Sequence, residues 1–479
     1  MNQDIFQSKE FKENLKKYEV ARMSGNSIYL EPDVLTDIAE YYHAHGNLDA
    51  ALEAVDLALQ MFPGAVEPLV FKARFALLLE EGTSQAMYYA QQIEDKQDLE
   101  YYYLLAEIKI VGNRIDDAEK YLEEKESSID ADDLEDYRLD VATLFADYDI
   151  YDKAEKWLNL CAYASEPDYQ ELNGRIEMNK GHYKKCESIF NKLLDKDPFR
   201  ISYWNLLASA FYLENEISKS LDASDFALAI DPDDAEALLN KGNCLAMLGN
   251  YDEALEYYQR YETIQPHSEA GEMGIASILM AEEKFDEALT HWLAAERLCL
   301  PQSGNLPDIY RNECLSYAMS GDFDNAFKCV NKLDSLASGE TPETLVLRGY
   351  LSLLAKNQDV ARQYFALAYE DSEDGDKDNT LWFISNCYFE CNFMQEAHDI
   401  LRKLVSSEKS KNFTDLWAYL VRTDYELGLQ EEFLADLKEA TKRNPYGIQR
   451  ELSDIFPKGM QAIDFYSYAV HHPINKKKR

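Results

Sequence analysis

The sequence predicts an all-α chain of about twelve stacked helix–turn–helix repeats, and three observations carry that reading. First, residue types recur at one spacing. Pro198, Pro232 and Pro266 lie 34 residues apart and Pro301 follows after 35, while Ala254/Ala288 and Tyr258/Trp292 are each 34 apart. Self-similarity at this period marks a repeating helical hairpin. Second, Pro32, Pro63, Pro68, Pro167, Pro198, Pro232, Pro266, Pro301, Pro307, Pro342 and Pro445 all fall at proposed repeat junctions. A residue without an N–H that clashes with the preceding turn belongs there and not inside a helix. Third, glycine is scarce, 19 in 479 residues, as expected where helices dominate.

Ala235–Ser268 carries the pattern most fully. Counting Ala235 as position 1, Gly242 is at position 8, Leu245 at 11, Gly249 at 15, Tyr251 at 17, Ala254 at 20, Tyr258 at 24 and Pro266 at 32. Small Gly242 and Ala254 let two antiparallel helices approach, and Tyr251 and Tyr258 fill the space around them. Gly249 can take the left-handed conformation that ends the first helix, and Pro266 stops the second. These residues resemble the tetratricopeptide repeat (TPR) family. Leu238 departs from the family's usual Trp at position 4, which the preceding repeat supplies as Trp204, followed by Leu207, Ala208 and Phe211. The resemblance implies a right-handed α–α superhelix, a TPR solenoid. It also implies a concave groove, lined by the first helix of each repeat, that binds a protein or peptide.

In order, residues 5–23 read as one amphipathic helix, with Phe11, Leu15 and Tyr18 on a face ended by Gly25-Asn26. Residues 1–31 are expected to cover the first repeat, because a solenoid end exposes an apolar face. The solenoid is expected over 32–447. Its first repeat, Pro32–Gly64, carries Ala39, Tyr42, Gly46, Ala51, Val55 and Pro63 in register. Three more degenerate repeats follow near Glu67–Asp98, Leu99–Leu134 and Glu135–Glu166, anchored by Ala86, Ala118 and Ala154. The pattern sharpens at Pro167–Arg200, and further repeats start at Ile201, Ala235 and Glu269. After a short insertion, Gln302–Leu306, comes Pro307–Glu340. Two repeats anchored by Ala361 and Ala397 flank the acidic linker Asp371–Asp378, and the last repeat starts at Thr414. Residues 448–479 are expected to form a C-terminal cap, broken at Pro457-Lys458-Gly459, and a basic end, Lys476–Arg479.

The net charge is −41, from 48 basic and 89 acidic residues. Such a field repels phosphate backbones and anionic lipid surfaces, so neither nucleic acid nor membrane is an expected partner. No apolar signal core opens the chain, and no run approaches the roughly 20 apolar residues of a membrane helix. A soluble, cytoplasmic protein is expected. The eight cysteines include no C-x-x-C pair. Cys186 and Cys314 occupy small-residue repeat positions, as buried free thiols do, while Cys387 and Cys391, one helical turn apart, form a candidate metal or redox pair. His43 and His45 are two apart, so on a helix they diverge where a metal needs converging ligands. No P-loop, G-x-S-x-G, H-E-x-x-H or dinucleotide fingerprint occurs, and the repeats leave only about 31 residues at each end. Neither enzymatic activity nor a cofactor is expected.

By the family register, groove positions 2, 5, 9, 12 and 13 hold Arg175, Asn205, Tyr212, Asn243 and Met273 centrally, then Arg311, Tyr350, Trp382 and Asn386. Amides can pair with the backbone of an extended peptide, and Met or aromatic groups make adaptable apolar pockets. The competing reading is that Met and aromatic residues pack between helices. Chaperone-tail-binding members of the family use a basic clamp. Here the matching residues are Asn205, Ser209, Asn240, Ala270 and Gly274, so that clamp is absent. Acidic groove positions are Asp33, Glu40, Glu100, Glu107, Asp136, Asp147, Asp168, Glu171, Glu236, Asp308, Glu343, Glu390, Asp415 and Glu426, against Arg175, Arg311 and Arg422. Eight of these fourteen acids sit at position 2, where the helix dipole alone favours them. The first four repeats contribute six acids and no base. The expected function is a non-enzymatic adaptor or scaffold that binds a protein or peptide in the groove. A basic segment is the chemistry this charge favours, with Glu40 and Glu107 among its contacts. The alternatives are a self-associating scaffold, hence a homo-oligomer, and at a further remove a metal-dependent hydrolase.

Overall fold

The computed structural model describes residue 6 and residues 8–78, 82–300, 304–407, 411 and 413–472. The expected basic end, Lys476–Arg479, and the start of the insertion lie outside them. Among the described residues the regular elements are all helices. An N-terminal helix, Lys9–Ser24, precedes twelve antiparallel pairs, here repeats one to twelve. Repeats one to four pair Pro32–Ala44 with Leu48–Met61, Val66–Leu77 with Gly82–Gln92, Leu99–Val111 with Ile115–Glu126, and Leu134–Asp147 with Tyr151–Leu158. Repeats five to eight pair Pro167–Asn179 with Tyr183–Lys196, Ile201–Leu213 with Ile217–Ile230, Ala235–Met247 with Tyr251–Ile264, and Glu269–Ala281 with Phe285–Leu298. Repeats nine to twelve pair Leu306–Met319 with Phe323–Leu336, Pro342–Leu354 with Gln358–Asp371, Lys377–Glu390 with Met394–Val405, and Leu416–Leu427 with Gln430–Arg443. Helices Pro445–Leu452 and Ala462–His471 follow. The chain divides into two compact units, Met1–Leu306 and Pro307–Arg479.

One local device returns the chain in each repeat. At position 15 a residue enters the left-handed region, and the next amide donates to the carbonyl five residues back. Asn47 N–Tyr42 O, Asn250 N–Leu245 O and Leu429 N–Asp424 O are examples, and all eleven described turns close at 2.8–2.9 Å. This is the Schellman bond, which satisfies a carbonyl the ending helix leaves open. Glycine fills the position at Gly46, Gly181, Gly249, Gly321 and Gly428. Elsewhere an L-residue does, at Asn113, Asp149, Asn215, Glu283, Lys356 and Asn392, with φ between 56° and 63°. The turn of repeat two, at 79–81, lies outside the described residues.

In repeats five, seven and ten a glycine facing a large ring sets the spacing within the hairpin. A Cβ on Gly242 would stand 2.6 Å from the Tyr258 ring, on Gly174 2.7 Å from Phe190, and on Gly349 2.2 Å from Phe365. Repeat eight achieves the same fit with Ala276 and Trp292, both buried.

The N-terminal helix is capped by Ser8, whose Oγ accepts from Phe11 N at 3.0 Å, and it ends at left-handed Gly25. Its Phe11, Tyr18 and Ala21 are buried, and Phe11 and Tyr18 share a cluster with Leu35, Ile38 and Tyr42 of repeat one. At the other end Ile448, Leu452, Phe456 and Phe465 close over Phe433 and Leu437 of repeat twelve.

Replacing Glu283 or Lys356 by glycine should raise the urea midpoint, by about 0.5–1 kcal/mol of stability. The left-handed conformation costs an L-residue roughly 1–2 kcal/mol, of which glycine's larger unfolded entropy takes back part. Gly349→Ala should lower stability by about 1–3 kcal/mol through overpacking against Phe365, despite alanine's better helix propensity.

Candidate protein-binding groove

In the first unit, first helices of successive repeats touch one another, whereas second helices meet chiefly the first helices beside them. A ribbon crowded along one layer and spread along the other curves toward the crowded layer. The concave surface of that unit is therefore lined by first helices.

In repeats one to four that surface is a field of carboxylates. Asp33, Asp37, Glu40, Glu67, Asp98, Glu100, Glu107, Asp136 and Asp140 influence one another's protonation or share Arg74. Arg74 sits at position 8 of repeat two, which the repeat pattern assigns to packing, and there it supplies the base that the groove register lacked. Its Nε lies 3.1 and 3.0 Å from the two carboxylate oxygens of Glu107, and its Nη2 lies 2.8 Å from Glu107 Oε1 and 2.9 Å from Glu100. Burial opposes the Arg74 charge, but Glu107 and Glu100 more than offset it and move its pKa up. Glu107 is 6% exposed, so its carboxylate is satisfied within the fold. Glu40 is different. Burial, then the charge of Asp37, raises its pKa, and Arg74 offsets only part of this. Burial likewise raises Asp37, Glu67 and Asp140, each next to further acids.

The central groove residues are linked mostly to each other. Arg175 pairs with Asp147 at 2.7 Å. Asn205 is 2% exposed and donates from Nδ2 to Asp234, the N-cap of the next repeat, at 2.8 Å and toward Glu236 at 3.5 Å. Its Oδ1 is buried without a partner. Burial and Asp234 push Glu236 up to about 7. That side chain still reaches solvent, which screens the effect. Asn243 Oδ1 accepts from Tyr258 Oη at 2.8 Å, so this amide serves the hairpin. Half-buried Tyr212 has its hydroxyl pKa raised by burial and by Cys244. Met273 is half-buried, and its carbonyl accepts from Ser277.

In the second unit, exposed Arg311 pairs with Asp308 at 2.6 Å, and Tyr350 Oη donates to Glu390 at 2.9 Å. Trp382 is stacked 5.6 Å from Tyr419 and 5.4 Å from Phe413. Tyr419 in turn stacks 4.4 Å from Phe389. These rings pack helix against helix. Asn386 is half-buried, with an Oδ1 that meets no partner. Burial pushes Cys387 up and Cys391 up to about 11, which disfavours the thiolate that redox or metal chemistry needs.

A cluster the sequence did not single out lies deeper. Asp424, fully buried on the first helix of repeat twelve, accepts from His398 Nε2 and Arg402 Nη2, each at 3.0 Å. Arg402 also reaches Asp436 at 2.7 Å. Burial first, then the hydrogen bond and charge of Asp436, push Asp424 up to about 8. A dyad that shares one proton is the usual response to two close carboxylates. A lone Asp among apolar neighbours, Leu420 and Val421 before it, was the available signal.

Residues 235–268 match the tetratricopeptide repeat family model, and the same turn bond recurs in the described turns around them. The chain carries a tetratricopeptide repeat. Proteins that carry it generally mediate protein–protein interactions, and the fold is typically non-enzymatic. No curated protein sequence matches this TPR chain. Among solved structures, a TPR protein from Parabacteroides merdae is 20% identical over 53% of this chain and 98% of its own, with a TM-score of 0.40. A chain of the APC/C hetero-tetramer Cut9–Hcn1 is 16% identical over 94% and 95%, with a TM-score of 0.41. Pseudomonas aeruginosa PilF is 20% identical over 43% and 90%, at 0.36. Likeness at this level concerns the fold and says nothing of a partner. Among the described residues of this TPR protein, no helix is long and apolar enough to cross a membrane.

Arg74→Ala should destabilise the protein by about 3–5 kcal/mol, since it strands a buried carboxylate. Combining Arg74→Met with Glu107→Gln should recover most of that loss in thermal melts. Asp424 holds its proton more tightly folded than unfolded, so it adds stability in acid and loses it as pH rises through about 8. Asp424→Asn should flatten that alkaline decline in melts run from about pH 6 to about pH 9.

Proposed function

We propose that this TPR protein is a non-enzymatic adaptor that binds a Lys/Arg-rich segment of a partner protein along the groove of repeats one to four. The observation that carries the reading is the set of carboxylates sharing that surface with Arg74. Arg74 is itself engaged by Glu107 and Glu100, which leaves Asp37, Glu40 and Asp140 with charge that burial makes costly. A cationic segment would relieve that cost, and the field would speed its arrival. A second reading, self-association, rests on the last helix, which leaves Ile463 78% and Val470 46% exposed. Light scattering across a concentration series tests it.

A fluorescent oligolysine peptide should bind the full chain, and an oligoglutamate peptide should not. Affinity should fall steeply between low and physiological salt. It should also fall on acidification, because Glu40, Asp37 and Asp140 take up protons at higher pH than ordinary carboxylates and lose the charge that attracts the peptide. Asp37→Asn, Glu40→Gln and Asp136→Asn together should weaken binding about tenfold, or roughly 1.4 kcal/mol. Binding indifferent to salt and to these three changes would exclude the groove as the site. Glu107 is left alone in this test because its bond to Arg74 holds the fold.

A further inference from the structure

In a ribbon of antiparallel helices, the turns inside repeats lie along one edge and the links between repeats along the other. In the first unit these opposite edges meet. The turn inside repeat one, Ala44–Asn47, lies against the link after repeat seven, Gln265–Ser268. Gln265 Nε2 donates to Ala44 O at 3.2 Å across 221 residues of sequence. A Cβ on Gly46 would stand 3.2 Å from His267 Cδ2 and 3.4 Å from Pro266 Cδ. Opposite edges come together when the ribbon has gone once round and advanced by its own width. Repeats one to seven therefore form a closed wall around their own groove.

Asp140 and Glu236 reach solvent, and surrounding protein raises the pKa of each. The seam that closes the wall is thin. The bond from Gln265 is part-buried, Gly46 is half-buried, and His267 remains exposed.

We infer that the seam between Ala44–Asn47 and Gln265–Ser268 is a gate on the acidic lumen. Shut, it admits an extended cationic segment end-on. Parted, it lets the middle of a chain enter from the side. The identity of the occupant rests on the acidic-groove reading above, whereas the gate rests on the seam's own contacts.

The test compares two glycines in the same left-handed conformation. Gly46 has φ 70° and meets the seam, while Gly249 has φ 78° and nothing within 4 Å of an added Cβ. Gly46→Tyr wedges the seam, and Gly249→Tyr bears the same backbone cost without touching it. Gln265→Ala removes the cross-seam bond without adding bulk. Two probes are used with the full-length protein: an oligolysine with free ends, and the same peptide joined at both ends to a folded domain too wide to thread. The wild type and Gly249→Tyr should take up the blocked probe at least about tenfold more slowly than the free one. Gly46→Tyr and Gln265→Ala should bring the two rates within about twofold of each other. Equal rates for both probes in the wild type would overturn the gate and leave the basic-segment reading intact. If neither probe binds any variant, the basic-segment reading falls and small-angle scattering decides the seam. A larger radius of gyration for Gly46→Tyr than for Gly249→Tyr, at equal helicity, supports a shut wall. Identical scattering overturns it.

Discussion

The bond that closes each hairpin is the constraint on which the rest of the protein depends. A helix that ends in a left-handed residue, with the next amide returned to the carbonyl five residues back, sends the chain out at a nearly fixed angle. The bond recurs in every described turn inside a repeat. In repeats five, seven and ten a glycine at position 8 then decides how closely the second helix lies on the first. The order matters. Tyr258 can wedge against Gly242 because the Gly249 turn has already brought its helix back along the right line. A solenoid accumulates small angles over many units, and a hairpin angle loose by a few degrees would not bring residues 44 and 265 into hydrogen-bond range.

Curvature also explains where the charge can stand. At −41 the chain repels itself, and concentrating carboxylates on a concave surface is the least comfortable arrangement, because neighbours face each other there. Glu107 is stabilised by a bidentate guanidinium, but the acids beside it are not so matched. A protein selected for stability alone would place more bases there. Repeats one to four do hold bases, yet Lys153 and Lys156 serve the second helix of repeat three, pairing with Asp116, Glu119 and Glu123. Bases are thus available, and these two pair between second helices.

The hairpins were legible in the sequence because their rules are local. Spacing of 34 residues, glycine at position 15 and proline at the junctions each follow from one turn of chain, and each repeat read with a starting residue begins its first helix within two residues of it. The left-handed residues Glu283 and Lys356 were not legible. Nothing about Glu or Lys announces a positive φ, and only the tertiary fit imposes it. Arg74 was hidden for a related reason, since position 8 is a packing position and its partner Glu107 lies 33 residues away. The His398–Asp424–Asp436 cluster joins three helices through residues of ordinary type. The seam could not be read at all, because it depends on the sum of six repeat angles and on no motif.

The groove residues differ in how far their bonding capacity is met inside the fold. Trp382 and Tyr350 looked like contacts by residue type and register, but Trp382 stacks with Tyr419 and Phe413, and the Tyr350 hydroxyl is given to Glu390. Asn243 is tied to Tyr258, and Arg175 to Asp147. Their bonding capacity is met inside the fold, so a partner would have to break a contact to gain one. Glu40 and Asp37 are the reverse case. Each is half-buried and surrounded mainly by charge of its own sign, so contact with a cation relieves strain instead of replacing a bond. By that criterion the proposed docking of a basic segment falls to the first four repeats, on side chains whose surroundings leave them short of positive charge.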